Sequence, residues 1–127
     1  MGVKEEILNL SNHRYELLDK RNASWDEKIL RYTYDPLEID ELGDTIYNLL
    51  NNNQDELNIE FIIEELTKLG LAPSLLYDDN GNFAICDNGV QTLSYKDEPC
   101  DVEIIHFIEK NKWKSTIREA LKYYFEN

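Results

Sequence analysis

Cys86, Asp87 and His106 form the one nucleophile–base set in the chain with a claim to catalysis. A reactive thiol needs a nearby base and a lowered pKa, and neighbouring strands could supply both. Packing explains the same residues more simply. Cys86 alternates within Phe83-Ala84-Ile85-Cys86 as a small buried thiol does, and His106 shares a strand face with Ile104 and Ile108. Cys86, Cys100 and His106 lack the spacing and the fourth ligand of a zinc site. Asp78-Asp79-Asn80-Gly81-Asn82-Phe83 imitates part of a calcium loop, with Gly81 at the sixth position and Asp87 at the twelfth. Leu76 at the first position offers no oxygen, and Asp87 is shorter than the bidentate Glu such loops use. The segment therefore reads as a hairpin turn. With no P-loop, GxGxxG, GxSxG or HExxH present, the expectation is a protein that is not an enzyme and takes no metal or cofactor.

Carboxylates are the remaining chemistry. The chain has 26 acids against 13 Lys and Arg, a net charge of −13. Residues 1–31 balance six acids with six bases, whereas residues 32–67 hold ten acids and no Lys or Arg. A surface made only for solubility mixes both signs, and this block does not. Glu38, Asp40, Glu41 and Asp44 fall on one expected helix, and Glu56, Glu60, Glu64 and Glu65 on the next if that helix starts early. Like charges one helical turn apart cost about 0.2–0.5 kcal/mol per pair and stand about 5–6 Å apart, close to the spacing of phosphates along a nucleic-acid strand. Those eight residues are the expected partner-binding site. The plainer reading is a solvated acidic face.

Elements that must position these groups follow from periodicity. Val3, Ile7, Leu10, Leu17 and Leu18 predict a helix over 3–21, with a break near Ser11-Asn12. Ser24-Trp25-Asp26-Glu27 has the capping-box pattern and predicts a short helix with Trp25, Ile29 and Tyr32 inward. Pro36 reads as the first position of a helix carrying Ile39, Leu42, Ile46, Leu49 and Leu50. Asn58 caps a further helix with Ile59, Ile62, Ile63, Leu66 and Leu69 inward, closed by a left-handed Gly70. Strands at 74–78 and 82–87 flank Asn80-Gly81, and two more are expected at 90–95 and 102–108. Ser115 caps a closing helix with Ile117, Ala120, Leu121 and Tyr124 inward. The expected fold is α+β: N-terminal helices, a four-stranded antiparallel meander and a C-terminal helix. It forms a single domain over 1–127, with a helical part to 54 and an α-β-β-β-β-α unit over 55–127.

Function classes narrow accordingly. The longest apolar runs are pairs and triplets such as Phe61-Ile62-Ile63, too short to span a membrane. The N-terminus opens with acids and has no apolar signal region, and Gly2 lacks the pattern for myristoylation, so a cytoplasmic location is expected. Abundant Asn, Ile, Lys and Tyr, whose codons are AT-rich, suggest a bacterial or phage source, and hence the host cytoplasm for a phage product. The basic cluster Lys110, Lys112, Lys114, Arg118 and Lys122 is too small on so acidic a chain to favour direct nucleic-acid binding. Tyr32, Tyr34 and Tyr123-Tyr124-Phe125 cannot all face inward, which leaves aromatic surface for a partner. In charge and size the chain resembles the DNA-mimic inhibitors of phages and the immunity proteins of nuclease toxins. That resemblance implies an acidic binding protein that neutralises a basic, nucleic-acid-handling partner. A regulatory or structural module binding through its sheet or aromatic surface is the alternative, and a small Cys/His enzyme the third.

Overall fold

The computed structural model describes residues 2–71, 73–87 and 112–126. Two compact units divide the chain, Met1–Asn53 and Gln54–Asn127.

In the first unit, α1 (Val3–Ala23) packs on α2 (Glu38–Asn52). α1 runs through Ser11-Asn12 without the expected break, because Ser11 is buried on the same face as Ile7. α2 buries Ile39, Ile46 and Leu50 and begins two residues later than expected, with Leu37 as its N-cap. Pro36 lies outside the helix and contributes its carbonyl to the Ile39 N–H.

The connection between α1 and α2 corrects the sequence reading. Residues 25–32 form a hairpin, β1 (Trp25–Asp26) paired antiparallel with β2 (Arg31–Tyr32), where a short helix was expected. Ser24 explains the difference, since its hydroxyl closes α1 instead of opening a new helix. It donates to the Arg21 carbonyl at 2.6 Å and accepts the Tyr34 N–H at 3.0 Å. Asp26, not Ser24, captures the free N–H groups, taking those of Lys28 and Ile29 on Oδ1. Trp25 and Tyr32 then meet edge to face at 5.0 Å, and the Arg21 guanidinium stands 4.9 Å from the Tyr32 ring.

The second unit holds α3 (Ile59–Lys68), β3 (Pro73–Tyr77), β4 (Phe83–Asp87) and α4 (Ile117–Glu126). Asn58 accepts the Glu60 N–H at 2.8 Å and starts α3 as expected. At the other end Gly70 (φ +89°) takes the left-handed position. Leu71 N–H reaches the Leu66 carbonyl and Gly70 N–H the Thr67 carbonyl, the two bonds of a Schellman closure. β3 and β4 pair antiparallel from Pro73↔Asp87 to Tyr77↔Phe83. Phe83 also exchanges both backbone bonds with Lys114, which extends the outer edge of β4 by one bridge. α4 packs on β4, and α3 contacts β3. Thr116, one residue after the expected cap, accepts the Glu119 N–H and opens α4, while Ser115 donates to the Glu119 carboxylate. Ala120, Leu121 and Phe125 are the buried residues of this helix.

The fold is therefore mixed α+β and helix-rich, with four helices and two separate two-stranded antiparallel sheets among the described residues. The four-stranded meander is overturned: among the described residues β1 pairs with β2 and β3 with β4, in two separate two-stranded sheets. The expected strands at 90–95 and 102–108 lie outside the described residues.

Candidate functional site

α2 sets out Glu38, Asp40, Glu41 and Asp44 on its exposed side, opposite buried Ile39, Ile46 and Leu50. Three acids in the first turn suit the positive end of the helix dipole, which lessens their mutual repulsion there. Asp44, one turn on, has less of that compensation. Two side chains approach from α1: His13 Nε2 donates to Glu38 Oε2 at 3.1 Å, and Arg21 stands 3.9 Å from Asp35. The His13–Glu38 pair is exposed and the Arg21–Asp35 pair half-exposed, so each contributes at most about 1 kcal/mol.

The α3 group is less uniform than its spacing suggested. The helix starts at Ile59, so Glu56 sits in the preceding turn and only Glu60 and Glu64 continue the one-turn ladder. Glu65 leaves the acidic surface altogether. It is 1% exposed, between buried Ile62 and Leu66, with Lys68 Nζ 2.8 Å from its Oε2. The i,i+3 pairing of Glu65 with Lys68 was present in the sequence, but a charged residue was not counted among the inward positions. Nine of the ten carboxylates between residues 32 and 67 are exposed, Glu65 being the exception.

The other candidates resolve as follows. Asp78 organises its own loop: Oδ1 accepts the N–H groups of Asn80 and Asn82, and Oδ2 the Asn82 amide. The Asn82 side chain, with these backbone donors and that of Gly81, holds the Asp78 carboxyl below its ordinary pKa. A carboxylate so engaged closes the turn between the two strands. Among the described residues no group of three or more His, Cys, Asp and Glu could hold a metal ion. Cys86 is half-buried opposite Ser74, and burial pushes its thiol pKa up, with Lys112 offsetting part of the rise. That is the reverse of the activation a nucleophile requires. His106, Cys100 and Lys110 lie outside the described residues. Lys114 stands 4.7 Å from the Tyr123 ring, and Arg118 donates to the Gln54 carbonyl, so two members of the basic cluster have partners within the second unit.

Sequence reasoning missed an apolar feature. Trp25 and Ile29, expected inward, are 45% and 49% exposed, and Leu30 is 73% exposed. Leu30 also has φ +52°, the one left-handed non-glycine residue among those described. Its position was the available signal, because Leu30 falls off the Trp25–Ile29–Tyr32 stripe of the expected helix.

No helix among the described residues is long and apolar enough to cross a membrane. No family of known proteins matches the chain, and no curated protein or solved structure is significantly similar to it.

Proposed function

We propose that the chain is a non-enzymatic acidic binding protein whose partner is a basic, nucleic-acid-handling protein that it inhibits or neutralises. The observation that supports this reading is the block from residue 32 to 67, with nine exposed carboxylates and no Lys or Arg. Like charges kept together on helix surfaces lower stability slightly. They also create a one-signed field that steers a positive partner and makes association fast and salt-sensitive. Of the eight residues assigned from sequence, Glu38, Asp40, Glu41, Asp44, Glu56, Glu60 and Glu64 remain candidates. Glu65 is withdrawn because it is buried against Lys68.

The test is affinity capture from cells of the source organism, repeated with Glu41→Lys/Asp44→Lys and with Glu60→Lys/Glu64→Lys. All four side chains are exposed, so the variants should fold. A basic nucleic-acid-binding protein should be captured by the unaltered chain, released by salt and competed off by nucleic acid. At least one reversal should abolish capture. Capture that survives both reversals and high salt would reduce the block to a solvated face.

A further inference from the structure

We infer that the β1–β2 hairpin is the apolar half of a single-strand mimic, and that the chain docks in a basic, aromatic-floored groove that otherwise holds single-stranded nucleic acid. The large hydrophobic side chains exposed among the described residues all fall between Tyr15 and Leu37. Three of them, Trp25, Ile29 and Leu30, sit on one short hairpin. The hairpin is tied down by Ser24 at its base, by Asp26 across its turn and by the Trp25–Tyr32 contact within it. Leu30 makes the case specific. A left-handed position at a turn is ordinarily given to Gly or Asn, yet here it carries a leucine that is mostly in water. Its side chain adds little to folding and its backbone angle detracts from it, which is the pattern of a residue kept for contact.

Charge identifies the occupant. The hairpin is neutral, with Asp26 and Glu27 against Lys28 and Arg31, and the acidic stretch that contains no Lys or Arg of its own begins just after it at Asp35 and continues along α2. Arg21 links the two, standing by both the Tyr32 ring and Asp35. A second copy of this chain is a poor fit, since it would bring two net charges of −13 together. A neutral apolar element beside a row of carboxylates matches an unpaired strand, whose exposed bases accompany its phosphates. Duplex DNA hides its bases and would call for charge alone. Proteins that hold single strands pair a positive backbone track with aromatic side chains on which bases stack.

This inference rests on the acidic-partner reading for the rim of the groove, so the test separates the two. The probe is the OB-fold single-stranded-DNA-binding protein of the source organism carrying a fluorescent oligo(dT), with displacement read as loss of polarisation. The full chain should displace the oligonucleotide. Leu30→Asn, which keeps a residue at ease with positive φ, and Ile29→Thr should each weaken displacement by about tenfold or more, as loss of an interface anchor does. Neither variant should melt below the unaltered chain, and Leu30→Asn should melt at or slightly above it because the left-handed angle is relieved. Overturning results are failure of the full chain to displace oligo(dT), or undiminished displacement by both hairpin variants. If Glu41→Lys/Asp44→Lys abolishes displacement while the hairpin variants retain it, the acidic reading stands and the apolar anchor falls. If only the hairpin variants fail, the anchor stands and the acidic reading falls. A dimer in sedimentation that Leu30→Asn dissociates would assign the hairpin to self-association and overturn the proposal.

Discussion

The β3–β4 loop places its left-handed residue at Gly81 (φ +81°), whereas the β1–β2 loop places its own at Leu30 (φ +52°). Around Gly81 the arrangement serves folding. Five residues pair on each side, Asp78 gathers the donors of its loop, and glycine meets the backbone requirement without strain. Around Leu30 only two residues pair on each side, and the left-handed position is given to an exposed leucine. Stability accounts for the first loop and leaves the second unexplained. Departures from local backbone preference that bring no packing in return concentrate at functional sites, and this contrast is why the smaller hairpin attracts attention.

The largest expected effect in this comparison is at Gly81. Nothing lies within 4 Å of a Cβ built there, so the cost of a side chain is set by the backbone angle alone. Gly81→Val should destabilise by about 1–2 kcal/mol, or roughly 3–12 °C in Tm for a chain of this size. Thermal denaturation of both proteins measures it. A loss under about 0.5 kcal/mol would mean that the loop relaxes easily and that its left-handed residue holds no more of the fold than Leu30 does.

Asp78 sharpens the same contrast through pH. Its hydrogen bonds, led by the one from the Asn82 side chain, favour the charged carboxylate and lower its pKa in the folded state. A lowered folded pKa adds stability that is complete above the unfolded value and is lost as pH falls through the folded one. The advantage of the unaltered chain over Asp78→Asn should therefore be present at neutral pH and shrink in acid, below the ordinary Asp range. Denaturant midpoints of the two proteins across that range would show it. A difference independent of pH would remove the charged carboxylate from the account of the loop.

The two hairpins also differ in how far they can be read from sequence. Asn80-Gly81 between apolar runs marks β3–β4 locally, and Asn58 and Gly70 mark both ends of α3, because each of these residues has one use in its setting. Ser24 has two. A serine three residues before Glu27 looks like a helix start, and only the competing claims of the Arg21 carbonyl and the Tyr34 N–H turn it into the close of α1. Those partners are set by where the chain returns, which periodicity does not carry. The acidic surface was legible because solvent exposure is the default for carboxylates. Glu65 was not, since its burial depends on how α3 packs and on Lys68 being one turn away.

The smallest expected effect is at Leu30, and its sign is what matters. Leu30→Gly relieves a left-handed angle that costs an L-residue about 1–2 kcal/mol. It also adds freedom to the unfolded chain, which costs about 0.4–1 kcal/mol. The balance lies between no change and a gain of about 1.6 kcal/mol, measurable by urea denaturation of the two proteins. Gly81→Val and Leu30→Gly should thus move stability in opposite directions, although each exchanges glycine with a larger residue at a left-handed loop position. A loss of more than about 1 kcal/mol on Leu30→Gly would show that the leucine supports the fold. The hairpin would then be an ordinary structural element, and its exposed tip would need no partner to explain it.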